Sequence, residues 1–195
     1  MGKTGNFYNS ISFLYPVINY FLERQRKALI DEVNKMPPGK LLEVGVGNGS
    51  HLPLYSSHQI TGIDISEAML KKAKRFESDK ITLLLMDGEK LLLPKSGFDY
   101  VVMSHVLAVA NNPDKLLEQV YRVLKPGGKL FILNHFTPDN SLKYIDRIFH
   151  PFSGMFHFKS LFRLQDIHGL KRFSLVSQKG LGTGSYFKLL IYIKP

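Results

Sequence analysis

Short apolar runs alternate with amphipathic stretches from residue 40 to residue 134, and that alternation leaves few architectures open. The runs at 40–44, 60–64, 81–86, 98–104 and 129–134 have strand length and nearly continuous apolar character. Such runs suit strands buried on both faces. Helical patterns lie between them. At 66–76, Ser66 is placed to cap and Glu67 falls in the first turn, where negative charge is favoured. At 113–124, Pro113-Asp114 opens a helix and Pro126-Gly127-Gly128 stops it. Alternating units of this kind predict an α/β fold, a parallel sheet with helices on both faces. Two more strands, at 172–178 and 185–194, flank the Gly-rich stretch 179–184 and read as an antiparallel hairpin.

Ahead of the first strand, Leu14, Val17, Ile18, Phe21, Ala28 and Leu29 recur at helical spacing. Pro16 suits the first turn and Pro37-Pro38-Gly39 ends the helix. The 195 residues suffice for one domain with a full core. The expected organisation is a single domain over 1–195, with an N-terminal helical cap at 1–36 and a helical lid inserted at 137–170. No apolar run approaches the ~18 residues of a membrane span. The opening Met1-Gly2-Lys3-Thr4-Gly5 lacks a signal-peptide core, so a cytoplasmic location is expected.

The turn after the first strand carries the chemistry: Leu42-Glu43-Val44-Gly45-Val46-Gly47-Asn48-Gly49. Glycines there let backbone approach a ligand that side chains would hold off. A dinucleotide site wants G-x-G-x-x-G and places a diphosphate beside it. Here the third position of that pattern is Ser50, the glycines run G-x-G-x-G, and Glu43 stands two residues before the first. An acidic group would repel a diphosphate but suits a ligand with ammonium and sulfonium charges. No Gly-Lys-Ser/Thr follows, which excludes a phosphate loop. Asp64 closes the second strand, at a distance where a carboxylate accepts from both ribose hydroxyls of an adenosine ligand; an aspartate there also serves as a helix cap. Asp87, in Met86-Asp87-Gly88, is placed to accept from an adenine amino group, or to make an ordinary Asp-Gly turn.

These segments resemble the ordered motifs of class I S-adenosylmethionine-dependent methyltransferases: residues 43–49, 61–69 (TGIDISEAM), 86–88, 98–102 (FDYVV) and 122–128 (RVLKPGG). The resemblance implies a Rossmann-like seven-stranded sheet of order 3-2-1-4-5-7-6, the last strand antiparallel. It implies S-adenosyl-L-methionine as cofactor and S-adenosyl-L-homocysteine as product. It also implies Glu43, Gly45, Gly47, Asn48, Asp64, Ile65, Met69, Asp87 and Gly88 around the cofactor, with Ser104 and His105 near the methyl group. Residues 44–55 (VGVGNGSHLPLY), 64–73 (DISEAMLKKA) and Leu133-Asn134-His135-Phe136 are similar to the bacterial phosphatidylethanolamine N-methyltransferases. The spacing from Tyr15 to Arg26 loosely resembles one in those enzymes, one residue short. Residues 151–167 depart from their pattern.

An amine acceptor must react in its neutral form, so a tyrosine or histidine near the methyl would assist. The candidates are Tyr15, His105 and His135, with Tyr8 behind them; a histidine that only completes a hydrogen-bonded pocket is the alternative. Aromatic and basic residues interleave over 142–163 (Phe149, Phe152, Phe156, Phe158 and Phe162 among Lys143, Arg147, Lys159 and Arg163). They suit an acyl-chain pocket, an anionic membrane surface at its inner face, or a lid packed on the sheet. The formal net charge of +10 favours acidic partners, yet no nucleic-acid-binding signature accompanies it.

The absence of cysteine excludes radical enzymes with thiolate-held clusters and pyrimidine C5-methyltransferases. Ser-His-Val-Leu after the fourth strand is not the Asn/Asp-Pro-Pro-Tyr/Phe motif of methylation at adenine or glutamine nitrogens. It supplies no oxygen cluster for a metal either, so no metal site is expected. The leading reading is N-methylation of phosphatidylethanolamine or a similar amine-bearing lipid. The alternatives are C- or O-methylation of a quinone precursor or other small aromatic metabolite, and a non-catalytic cofactor- or nucleic-acid-binding domain.

Overall fold

The computed structural model describes residues 15–135, 164–181 and 187–195, with side chains in the first helix described from residue 23. In chain order the elements are α1 (Tyr15–Asn34), β1 (Lys40–Val44), β2 (Gln59–Asp64), α2 (Glu67–Ala73), β3 (Ile81–Leu85), β4 (Phe98–Ser104) and α3 (Pro113–Val123). β5 (Leu124–His135), β6 (Ser174–Leu181) and β7 (Phe187–Ile193) follow. The seven strands form one sheet of order β3-β2-β1-β4-β5-β7-β6. The pairs among β1 to β5 are parallel, while β7 runs antiparallel to both β5 and β6. This is the expected order.

The buried strands work because alternate side chains enter two separate cores. Leu42 and Val44 of β1 join Leu116, Leu117, Val120 and Val123 of α3 on one face. Leu41 joins Leu29, Ile30 and Val33 of α1 on the other. Asn112 caps α3, its side chain accepting from Lys115 N at 3.0 Å. Ser66 caps α2 in the same way, accepting from Met69 N. Arg122 near the end of α3 donates to Leu91 O at 2.6 Å and Leu93 O at 2.8 Å. Those bonds fix the segment that leads into β4.

Three boundaries differ from expectation. The helix at 66–76 is α-helical only to Ala73 and closes with a 3-10 turn, Lys74–Phe76. β5 starts at Leu124, so Pro126-Gly127-Gly128 lies inside the strand, beside a register shift between Phe98 and Tyr100 on β4. β6 runs on to Leu181, taking in Lys179 and Gly180, which had read as turn; pairing with β7 overrides the local turn signal. Most of the expected lid, and the aromatic and basic residues at 142–163, lie outside the described residues. The end of that stretch forms two 3-10 turns, Leu164–Asp166 and His168–Arg172. They place Ile167 and Leu170 against α3's core.

Candidate active site

In the strand order, β2 and β3 build outward on one side of β1, and β4 and β5 on the other. Loops leaving the carboxyl ends of β1 and β4 therefore diverge, and the gap between them is where such sheets take ligands. A cavity of about 320 Å³ opens there. Among the described residues it is lined by Gly45, Asp64, Ile65, Asp87, Gly88, Ser104 and His105, with Glu89, Val106, Val109, Ala110 and Asn111 along one side.

Asp64 organises the crevice. Its Oδ2 accepts from Gly47 N at 2.7 Å and its Oδ1 from Ser66 N at 2.8 Å. The carboxylate thus ties the loop after β1 to the start of α2. A carboxylate oxygen accepts more than one hydrogen bond, so both retain capacity toward a ligand. Gly47 adopts φ 56°, and a Cβ built there meets no atom within 4 Å. Of the loop's glycines Gly47 alone has open space at its Cβ position. It is not among the cavity's described lining residues, but its N–H donates to the Asp64 carboxylate, which is.

Asp87 Oδ1 accepts from Glu89 N at 2.9 Å, and Glu89 Oε1 accepts from Asn112 N at 2.9 Å. The third strand's end is so joined to the start of α3. Ile65 is 70% exposed and Met69 39%. Ile65 lines the cavity beside the Asp64 and Asp87 carboxylates and offers a bare apolar surface on which a flat ring can rest; Met69 is not among the cavity's described lining residues. Asn48 is exposed, and its Oδ1 accepts from Ser50 N at 3.2 Å.

The charge of the lining is distinctive. Asp64, Asp87 and Glu89 face the cavity with no lysine or arginine among its described lining residues, although the chain as a whole carries +10. Such a crevice repels a diphosphate and concentrates a cation.

Glu43 lies elsewhere. On β1 it faces the α1 side, where its Oε1 sits 2.6 Å from His51 Nε2, both groups buried. A carboxylate only accepts, so His51 carries its proton on Nε2. Glu43 is not among the cavity's described lining residues. His51 had no signal in the sequence: its place depends on the 3-10 turn Leu52–Leu54 that swings residue 51 back over β1. Tyr55 closes this cluster. Burial, and then the Glu43 charge, push its hydroxyl's pKa well above the ordinary value.

His105 directly follows β4 at φ 61°, a left-handed conformation costing a non-glycine residue roughly 1–2 kcal/mol. Its N–H donates to Leu133 O at 2.7 Å, which holds the strained turn. Its ring stands edge-on to Phe187, 5.6 Å between centroids. Nε2 is buried without a hydrogen-bond partner. Burial, then the positive charge of Arg26, then His135, lower its pKa to about 3. The imidazole is therefore neutral. His135, at the end of β5, is buried and also meets Phe187 edge-on, at 6.5 Å. Ser104 Oγ is buried without a partner on the cavity wall. The side chains of Tyr15 and Tyr8 lie outside the described residues. No cluster of three metal-ligating side chains occurs among the described residues.

Comparison with known proteins agrees with this geometry. A methyltransferase-domain family model matches residues 42–132. The phosphatidylethanolamine N-methyltransferase of Cereibacter sphaeroides is 33% identical over 160 residues, covering 78% of this chain and 78% of that one. The chain belongs to the class I S-adenosylmethionine-dependent methyltransferases. Another methyltransferase, the ubiquinone/menaquinone biosynthesis C-methyltransferase UbiE of Desulfotalea psychrophila, is 29% identical over 147 residues, 70% of this chain and 60% of its own. Among solved structures, phosphoethanolamine N-methyltransferase 2 of Haemonchus contortus superposes with a TM-score of 0.69 at 19% identity. The match covers 82% of this chain and 50% of that one, and that protein was solved with phosphomonomethylethanolamine and S-adenosylhomocysteine.

The methyltransferase's residues fit its cofactor. Three carboxylates suit a ligand bearing sulfonium and ammonium charges, Asp64 keeps acceptor capacity, and the open face of Gly47 leaves room beside the loop. When bound, S-adenosylmethionine supplies an already activated methyl group.

Proposed function

We propose that this methyltransferase N-methylates phosphatidylethanolamine or a similar amine-bearing lipid. The observation that carries the reading is the reach of the likeness to the C. sphaeroides enzyme. It holds at 33% identity over 160 residues and covers 78% of both chains, whereas the UbiE likeness is 29% over 147 residues and covers 60% of that chain; both extend past the matched 42–132.

In this reading Asp64 accepts from the ribose hydroxyls and Asp87 from the adenine amino group. Ile65 and Met69 cover the adenine ring. Gly45, Gly47, Asn48 and Gly88 line the loops closely enough for backbone contact. Glu43, held by His51, contributes negative charge from behind the loop rather than a direct contact. Ser104 and His105 face the transferring methyl. Alignment of nucleophile with methyl and exclusion of water are what the protein must provide.

The neutral His105 limits its own role. An imidazole whose conjugate acid titrates near 3 takes a proton from an ammonium only at high cost. It accepts a hydrogen bond from the neutral amine and points the lone pair at the methyl. The earlier proton loss falls to His135, to Tyr15 or to water.

No helix among the described residues is long and apolar enough to cross a membrane. A lipid acceptor is then met at a surface, and the charge of +10 attracts the protein to an anionic one. The similarity to UbiE supports a second reading, C-methylation of a quinone precursor.

One assay separates the two. The protein is incubated with methyl-labelled cofactor and vesicles containing phosphatidylethanolamine, then extracted. Label in methylated ethanolamine lipids supports the proposal. Label that enters only a soluble aromatic acceptor overturns it.

A further inference from the structure

A second cavity, of about 450 Å³, lies between α1 and the turn after the glycine loop. Glu23, Arg24, Arg26 and Lys27 wall it on the helix side, and Ser50 and His51 face them. Three cations against Glu23 give this wall the opposite sign to the acidic crevice. The buried Glu43 behind His51 adds one negative charge at its back.

Arg26 stands out. Its Nε is buried without a hydrogen-bond partner, an arrangement that leaves a costly donor waiting for an acceptor. Its charge acts on both Tyr55 and His105. Arg26 thus lines the second cavity while its charge reaches His105, at the end of β4, where the methyl acceptor is proposed to sit.

We propose that Arg26, supported by Arg24 and Lys27, binds the phosphate of the methyl acceptor and so selects phosphoethanolamine-bearing compounds over other amines. The inference rests on the amine-acceptor reading above. An ethanolamine phosphodiester is a short zwitterion. Its ammonium end suits the acidic crevice with His105, and its phosphate end suits the planar fork of an arginine, which matches phosphate oxygens two at a time.

The test is calorimetric and requires no turnover. S-adenosylhomocysteine is titrated first, as a check on fold and cofactor site. Glycerophosphoethanolamine, ethanolamine and inorganic phosphate then follow separately, on the wild type and on R26Q and R26K. The wild type should bind glycerophosphoethanolamine well, phosphate more weakly and ethanolamine least. R26Q should weaken glycerophosphoethanolamine by about tenfold or more and leave S-adenosylhomocysteine within about twofold. R26K should fall between, since it keeps the charge and loses the fork.

A wild type that binds ethanolamine as tightly as the phosphodiester would overturn the assignment. So would an R26Q or R26K protein that loses S-adenosylhomocysteine while keeping the phosphodiester, because Arg26 would then hold the cofactor's carboxylate. If R26Q loses both ligands, R26K decides, and equal losses of both there also overturn it. Phosphodiester binding through Arg26 in a protein that methylates no amine lipid would refute the acceptor reading and leave the phosphate site standing.

Discussion

Gly47→Ala separates the cofactor crevice from the rest of the fold, because the structure supplies its own control. Gly47 (φ 56°) and Gly127 (φ 73°) both adopt left-handed backbone, and a Cβ added at either meets no atom within 4 Å. Alanine at each site therefore carries the same backbone strain, about 1 kcal/mol. For a chain of this length that strain lowers Tm by roughly 2–4 °C. The two positions differ in what lies outside. Gly47 is bonded through its N–H to Asp64 on the cavity wall, where the cofactor is proposed to bind, while Gly127 sits in the exposed first part of β5, its N–H donating to Lys194 O at 2.8 Å. A methyl group at 47 intrudes on ligand contact distance, an overpacking cost of about 1–3 kcal/mol. Affinity for S-adenosylhomocysteine should then fall roughly 5- to 150-fold. Gly127→Ala should bind as the wild type does. The assay is isothermal titration of each variant alongside its thermal melt. Equal affinities for the two variants would refute the placement of the cofactor against the loop, whatever their stabilities.

Three further outcomes follow from the same geometry. Asp64→Ala removes the acceptor of two backbone N–H groups as well as the proposed ribose contacts. The ligand-free protein should lose about 1–3 kcal/mol in denaturant titration, with a similar loss in cofactor affinity by calorimetry. His51→Ala strands the Glu43 carboxylate in a buried site, and denaturant midpoints should report a loss of about 3–5 kcal/mol; an unchanged midpoint would mean water already solvates that carboxylate. His105 makes stability depend on acid. Its folded pKa of about 3 lies below the unfolded value of 6.5, so between those values the unfolded chain binds the extra proton. Its contribution is complete above pH 6.5 and is lost as pH falls toward 3, by up to about 1.4 kcal/mol per pH unit. His105→Asn should flatten that part of the unfolding profile, and an unaltered slope would contradict the buried neutral ring.

The sheet was legible because its cause is local. Strands buried on both faces must be mostly apolar, and 40–44, 60–64 and 98–104 are, with Glu43, Asp64 and Asp99 as the marked exceptions. The cap Ser66 and the opening Pro113-Asp114 likewise act within one turn, although the cap that Asn112 supplies there was not read from the sequence. What escaped depends on distant partners. Pro126-Gly127-Gly128 looks like a stop, yet pairing with β4 and β7 carries it into β5. At the site, Asp64 had two readings in the sequence, helix cap or ligand carboxylate. The structure gives the cap to Ser66; Asp64 instead accepts from Ser66 N and Gly47 N, with capacity left for a ligand. Glu43 read as a ligand-facing charge, and its bond to His51 needed a fold-back that no periodicity reveals. The strain at His105 and the orphaned Nε of Arg26 are equally properties of packing.

The most direct check of the central claim is a crystal structure of the protein grown with saturating S-adenosylhomocysteine. The account predicts its ribose hydroxyls on the Asp64 carboxylate, its adenine beside Ile65 and Asp87, and its sulfur toward Ser104 and His105. Density for the nucleoside elsewhere on the molecule, or an empty crevice at that concentration, would contradict it.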